Sequence, residues 1–285
     1  MWCLIIAAFA LSTTFLVHPS TAFSVVSTTS KPDGSNELDQ LASKIEQIEH
    51  NIQTLQKVSG NQNHASVKSR LPKNCKEIQT NGNTISGVYT VQPEFAPKPF
   101  LVLCNMDSHG GGWTYFMNRF NGNQDFFRRW NDYKTGFGNL NDEFWLGLDY
   151  LHFLTGYEVN ELLIELEDWD SKKVYARYDA FSVGSEGEGY LMRILGKYSG
   201  TAGDSFSGHG GMKFTTTDKD NDQWRDGNCA VYRSAGWWYN NCVGSHLTGK
   251  YIKEKSTADS YTVMFWNTFR GPYNLKVAKM MVKPK

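Results

Sequence analysis

Residues 214–247, FTTTDKDNDQWRDGNCAVYRSAGWWYNNCVGSHL, constrain this chain more than any other stretch. Alternating aspartates, two cysteines a short loop apart and a WWY run share one segment. Asp, Asn and Gly disfavour regular structure, while buried aromatics need a scaffold around them. Neither the helical nor the strand period accommodates that mixture. A segment breaking local rules this densely reads as a stapled, metal-ordered binding loop rather than a core element.

Such a loop needs a body to hold it. A chain of 285 residues holds one large domain plus an additional part. Lys plus Arg equals Asp plus Glu at 29 each, so no overall field draws the chain to nucleic acid or an anionic membrane. Residues 4–17 form an apolar run followed by the small residues Ser20, Thr21 and Ala22. The run is short for a bilayer span and reads as a secretory signal over residues 1–22, giving a secreted, extracellular protein with no membrane insertion. Cleavage removes Cys3 and leaves Cys75, Cys104, Cys229 and Cys242. An even number in an oxidising compartment predicts two disulfides. Three pairings are open, of which the local one rearranges the chain least. Zinc is a poor fit, since there is no C-x-x-C pair and no His cluster nearby.

Residues 23–36 are Ser/Thr-rich and read as a flexible leader. Leu38, Leu41, Ile45, Ile48, Ile52 and Leu55 then alternate spacings of three and four, a heptad seam that predicts a coiled coil over 37–58 and homo-oligomers through it. Residues 59–72 form a polar linker, and a globe fills 73–285. Within it, strands are predicted at 85–91, 100–104, 113–116, 161–169, 174–181 and 275–282, with helical character at 140–155. Strands outnumber helices and no βαβ repeat occurs, which gives an α+β domain on an antiparallel sheet.

Three blocks carry a resemblance: CNMDSHGGGWTYFMNRFNGNQDFFRRWNDYKTGFGNLNDEFWLGL (104–148), GDSFSGHGGMKFTTTDKDNDQW (203–224) and NCAVYRSAGWWYNNC (228–242). They closely resemble the fibrinogen C-terminal (fibrinogen-related) domain, over about residues 73–285. With the leader and heptads, the chain looks like the secreted lectins of innate immunity: ficolins, tachylectins and invertebrate fibrinogen-related proteins. The resemblance implies a central twisted sheet that reclaims the final strand, a loop-rich calcium- and ligand-binding part, and the pairs Cys75–Cys104 and Cys229–Cys242.

Asp218, Asp220 and Asp222 alternate, so carboxylates can converge where the chain curls around a hard cation such as Ca²⁺. The loop is no EF-hand, because Gln223 takes the turn-glycine position and Cys229 the terminal glutamate position. By resemblance, the calcium ligands are Asp220 and Asp222, with backbone carbonyls at Trp224 and at Asp226 or Gly227. The resemblance also implies a pocket for acetylated groups beside a cis Asn241–Cys242 bond, with Cys242 and Val243 as backbone donors and Arg233, Asn241 and Tyr261 as walls. Many acetyl-binding members carry His where this chain has Val243, and Tyr where it has Arg233. Of the residues 237–239, only part of the run is expected to face ligand. The GDSF block at 203–206 superficially resembles a hydrolase nucleophile motif, but adjacency shows no base held by a third group, so no enzyme is expected.

Two functions follow from this reading. One is a calcium-supported pattern-recognition lectin for acetylated glycans on microbial surfaces, gaining avidity from its coil. The alternative is a non-catalytic receptor or adhesion ligand that binds proteins, including other fibrinogen-related chains.

Overall fold

The computed structural model describes residues 34–59, 70–256, 262–271 and 273–285, in two compact units at 1–67 and 68–285. The expected signal peptide, most of the leader and linker, and Tyr261 lie outside the described residues.

In the first unit, α1 (Gly34–Ser59) is one continuous helix that contains the heptads. Leu41, Ile45, Ile48 and Ile52 are 48–59 % exposed, so the apolar row that a coiled-coil partner would bury stands in solvent.

The second unit begins with α2 (Cys75–Thr80), whose N-cap Asn74 accepts the Glu77 N–H at 3.0 Å. Cys75 bonds to Cys104 and so fastens this helix to the sheet. Strands β1 (Gly87–Val91), β2 (Phe100–Asn105) and β3 (Trp113–Arg119) follow as antiparallel neighbours. The glycines at 110–112 turn the chain between β2 and β3. Gly111 has φ +67° and an added Cβ would lie 2.5 Å from the Met106 carbonyl oxygen, so only glycine fits there.

The predicted helical stretch at 140–155 divides into two elements. After α3 (Trp130–Thr135) and β4 (Phe137–Gly138), Phe144 and Trp145 form β5, which pairs with Asn118 and Met117 of β3. Gly147, at φ +117°, then breaks the strand and starts α4 (Leu148–Thr155). The apolar run is continuous because both pieces are buried, and only the glycine marks the change.

β6 (Asn160–Glu167) and β7 (Lys173–Val183) make a long hairpin, extended by β8 (Met192–Leu195) and β9 (Tyr198–Gly200), both on β7. Short elements follow: α5 (Cys229–Arg233), β10 (Ser245–His246), β11 (Phe265–Trp266) and α6 (Asn267–Arg270). The last strand, β12 (Val277–Pro284), returns to the middle of the sheet. Its order is β1-β2-β3-β12-β6-β7-β8, with β12 antiparallel to both neighbours. An α+β globe with a large antiparallel sheet is therefore the observed architecture.

Five tryptophans, Trp113, Trp145, Trp237, Trp238 and Trp266, are at most 1 % exposed. Phe214 meets the Trp238 ring edge-on at 5.0 Å and Tyr133 at the same centroid distance. Trp145 lies 6.0 Å from Trp238. This aromatic core joins sheet and loops, each such ring contributing about 4–6 kcal/mol of gross burial.

Candidate functional site

The organising stretch leaves the core at Phe214 and returns to it at Trp237. Thr215 and Trp237 exchange backbone hydrogen bonds at 2.9 and 3.1 Å, which closes the base of the loop. Between them the three alternating aspartates separate. Asp218 faces the globe, where its Oδ1 accepts the Trp130 N–H at 3.0 Å and the Thr216 hydroxyl at 2.8 Å. Lys219 lies over the Trp130 ring at 3.8 Å. That side of the loop is fastened to the start of α3.

Asp222 faces inward. Its Oδ1 accepts the Trp224 N–H at 2.8 Å and its Oδ2 the Cys229 N–H at 2.7 Å. Asp220 Oδ1 accepts the Asp222 N–H at 3.2 Å. Burial raises the Asp222 pKa, and the nearby Asp220 carboxylate adds to the rise despite the two backbone donors. Asp226 is exposed, and Gly227 donates to the Trp224 carbonyl at 3.4 Å. A Cβ on Gly227 would lie 2.8 Å from the Trp224 indole, so the turn must be glycine to close against that ring. Among the described residues no three His, Cys, Asp or Glu side chains converge on one point. A cation here would thus rest on two carboxylates plus backbone carbonyls. That hard-oxygen set, with two like charges on adjacent alternate residues, fits Ca²⁺ better than a softer metal.

Cys229 bonds to Cys242, so the aspartate loop and the segment after the aromatic run are covalently joined. Asn228 caps α5 by accepting the Val231 N–H at 3.0 Å and reaches back to the Thr216 carbonyl at 3.1 Å. Trp237, Trp238 and Tyr239 are all 0 % exposed. None of the three faces a ligand, which corrects the expectation that part of the run would. What faces outward is the backbone that follows it, where the Asn241–Cys242 bond is cis.

A cleft of about 380 Å³ opens at this point, lined by Asp204, Ser205, Gly208, His209 and residues 240–244. Asn241, Cys242 and Val243 therefore belong to it together. Arg233 does not line it; it ends α5 with its guanidinium over the Tyr232 ring at 4.9 Å.

The wall residues unread in sequence are Asp204, Ser205, Gly208, Asn240 and Gly244. Asp204 accepts from Tyr178 at 2.7 Å and from the Phe206 and Ser207 N–H groups at 3.1 and 3.0 Å. Burial raises its pKa, and the bonds from Ser207, Tyr178 and Phe206 outweigh that effect, holding it below the usual carboxylate range. It is an anion at neutral pH. Ser205 bonds with Thr268 at 2.8 Å and accepts the Thr268 N–H at 2.9 Å, so its hydroxyl is engaged by α6.

His209 is 1 % exposed, with Nδ1 2.7 Å from the Trp238 carbonyl and Nε2 accepting the Gly244 N–H at 3.3 Å. That pattern requires the Nδ1–H tautomer. Burial pushes its pKa down to about 4. His246 is fully buried, 2.9 Å from the Tyr239 hydroxyl, and burial pushes it to about 3. Both are neutral at pH 7: His209 lines the cleft, and His246 meets the Tyr239 hydroxyl. The GDSFSGHGG block was the available signal: its Asp and His build the wall opposite the cis bond.

A large antiparallel sheet carrying a disulfide-stapled loop with a small polar cleft defines a globe of the fibrinogen type. Residues 71–285 match the family of the fibrinogen beta and gamma chains, C-terminal globular domain, and the chain belongs to that family. It is 42 % identical over 218 residues to human angiopoietin-related protein 1, covering 74 % of this chain and 43 % of that protein. Human fibrinogen C domain-containing protein 1 is also 42 % identical over 218 residues, and human fibroleukin 40 % over 233, covering 46 % and 53 % of those proteins. The chain thus spans about half the length of the curated relatives it matches. Among solved structures, the fibrinogen-like globe domain of human ANGPTL2 superposes with a TM-score of 0.72 at 41 % identity, covering 75 % of this chain and 99 % of that one. Lamprey fibrin D-dimer, complexed with the peptide Gly-His-Arg-Pro-amide, gives 0.69 at 32 % identity, covering 87 % of both. The family expected from the sequence blocks stands. The narrower likeness to ficolins and tachylectins is not what these relatives carry: they are angiopoietin-related protein 1, fibrinogen C domain-containing protein 1 and fibroleukin.

Proposed function

We propose that this chain is a secreted, non-catalytic ligand whose globe binds a protein partner, taking a short segment of it in the cleft at residues 204–209 and 240–244. Calcium at Asp220 and Asp222, with carbonyls of Trp224 and of Asp226 or Gly227, steadies the loop joined to that cleft by Cys229–Cys242. The observation that carries this reading is the lining itself. The backbone of residues 240–244 and the Asp204 carboxylate offer main-chain recognition and one negative charge, with no aromatic platform in the cleft. Main-chain groups and an anion suit a chain end or a basic peptide segment. The peptide held by lamprey fibrin D-dimer is of that kind. The two disulfides, and an apolar run at residues 4–17, support an extracellular setting. No helix among the described residues is long and apolar enough to cross a membrane.

The acetylated-sugar lectin of innate immunity keeps the place of Asn241 and Cys242 in the cleft in its favour and has Val243 against it. Calorimetric titration of the full chain with Gly-His-Arg-Pro-amide and, separately, with N-acetylglucosamine distinguishes the two. Peptide binding in calcium, lost in EDTA and lost in Val243→Trp, is the expected result. Sugar binding without a peptide response returns the assignment to the lectin. Silence toward both removes this cleft as the binding face.

A further inference from the structure

The two edges of the sheet are built differently. At the β8 end, Arg193 projects from the strand, paired with Glu188, and Lys197 follows directly. At the β1 end there is no such protection. Residues 81–93 and 99–106, which hold β1 and β2 with their flanks, contain no Asp, Glu, Lys or Arg, although 20 % of the chain is charged. β1 contains no proline and has no bulge in its register with β2. Among the described residues, Gly87–Val91 make no backbone hydrogen bond on the side away from β2. Just beyond the strand the edge is closed, since Gln92 N–H donates to the Pro72 carbonyl at 2.9 Å.

Apolar side chains mark the same place. Ile85 is 73 % exposed, Leu101 54 % and Val88 36 %. Thr90 pairs with Leu101 and Val88 with Leu103, so Val88, Thr90, Leu101 and Leu103 share one face of the ribbon. Natural sheets blunt an open edge with charge, proline, a bulge or a cover, and an uncharged, unbulged edge invites another strand.

We propose that β1 is the seam of a homodimer, in which it pairs antiparallel with β1 of a second copy and joins two sheets into one. An antiparallel edge is self-complementary about a two-fold axis. An axis through Tyr89 sets Val88 opposite Thr90 and Gly87 opposite Val91. An uncharged edge meets its own image without like-charge contact, whereas the β8 edge would have to seat the Arg193–Glu188 ion pair against its image. The second copy is favoured over a foreign strand because the two-fold sets the Leu103–Val88 pair of one copy beside the Thr90–Leu101 pair of the other, a continuous uncharged row in which the same four residues serve both sides. This inference stands apart from the cleft.

The test uses the full chain with Ile45→Asp and Ile52→Asp, which silence the α1 seam, compared with the same chain also carrying Val88→Lys and Thr90→Lys. In the dimer these lysines face each other directly, and like charges opposite each other destabilise a pair. Both positions lie at the surface, and an unchanged melting temperature verifies the fold. Sedimentation from micromolar to near-millimolar concentration should show a monomer–dimer equilibrium in the first protein and monomer throughout in the second. Amide exchange of residues 87–91 should slow with concentration only in the first. A first protein that stays monomeric at every concentration overturns the proposal. So does a dimer that survives both lysines.

Discussion

Asp218 accepts from Trp130 across the globe, whereas Asp222 accepts from Trp224 and Cys229 within its own loop, so alternate aspartates carry different duties. Asp218→Ala removes a cap-like acceptor and should cost about 1 kcal/mol, while leaving intact the rise in melting temperature expected from the calcium proposed at Asp220 and Asp222. Asp222→Ala orphans two N–H groups, should cost about 1–3 kcal/mol even in EDTA, and should abolish that rise. Thermal melts of both variants with calcium and with EDTA check the division; a calcium shift surviving in Asp222→Ala sinks it. A second residue-scale consequence concerns acid. His209 has a folded pKa of about 4 and His246 about 3, both below the unfolded value of about 6.5. The unfolded chain therefore binds more protons between those limits, so their stabilisation is complete above pH 6.5 and is lost as pH falls toward 4 and 3. For His209 alone this amounts to about 3 kcal/mol. Melting temperature should fall through that window, and His209→Gln should flatten the decline while lowering the plateau. An unchanged acid slope in that variant would contradict the assignment.

α1 presents Leu41, Ile45, Ile48 and Ile52 at heptad spacing along an exposed row. Charges at a and d positions break such a seam, so Ile45→Asp with Ile52→Asp should lower the light-scattering mass at low micromolar concentration and reduce helical ellipticity. The globe's melting temperature should not move. A mass unaltered by both charges would mean that the row serves something other than self-association. These elements also show what periodicity reveals. The β6–β7 hairpin is legible because buried and less buried positions alternate along much of it, whereas the heptads are legible from their three-four spacing alone, their row standing exposed, and the final strand from its apolar run. β5 and α4 are not separable that way, because Phe144, Trp145, Leu148 and Leu151 are all buried. Donor type marks the aspartate loop in the sequence, but not that Asp218 turns to Trp130 while Asp222 turns to its own loop. Its cleft was only half legible: Asn241–Val243 lie beside the second cysteine, but Asp204 and His209 arrive from far along the chain. Nothing local in Arg233 marks it as lying off the cleft.

At the scale of the molecule, β12 makes the final residues the centre of the sheet. Met280 sits between Met117 of β3 and Ile164 of β6, so the β1–β3 side and the β6–β8 side have no direct ladder between them. Ala278, Met280, Met281 and Val282 are at most 1 % exposed. Burying a Met or Val side chain contributes about 1.5–3 kcal/mol, so the three large ones together rival the whole stability of a typical domain, about 5–15 kcal/mol. Deleting residues 277–285 also strips the backbone partners from one edge of both β3 and β6. The truncated chain should therefore fail to fold rather than lose one strand, giving a collapsed amide spectrum and no cooperative melt, with or without calcium. Deleting residues 1–59 should do neither, because the unit from Lys68 to Lys285 holds its own core. A dispersed spectrum from the chain ending at residue 276 would show that the two sides of the sheet stand independently. Cooperative loss shows instead that the aromatic core and the cleft depend on the last strand to be made.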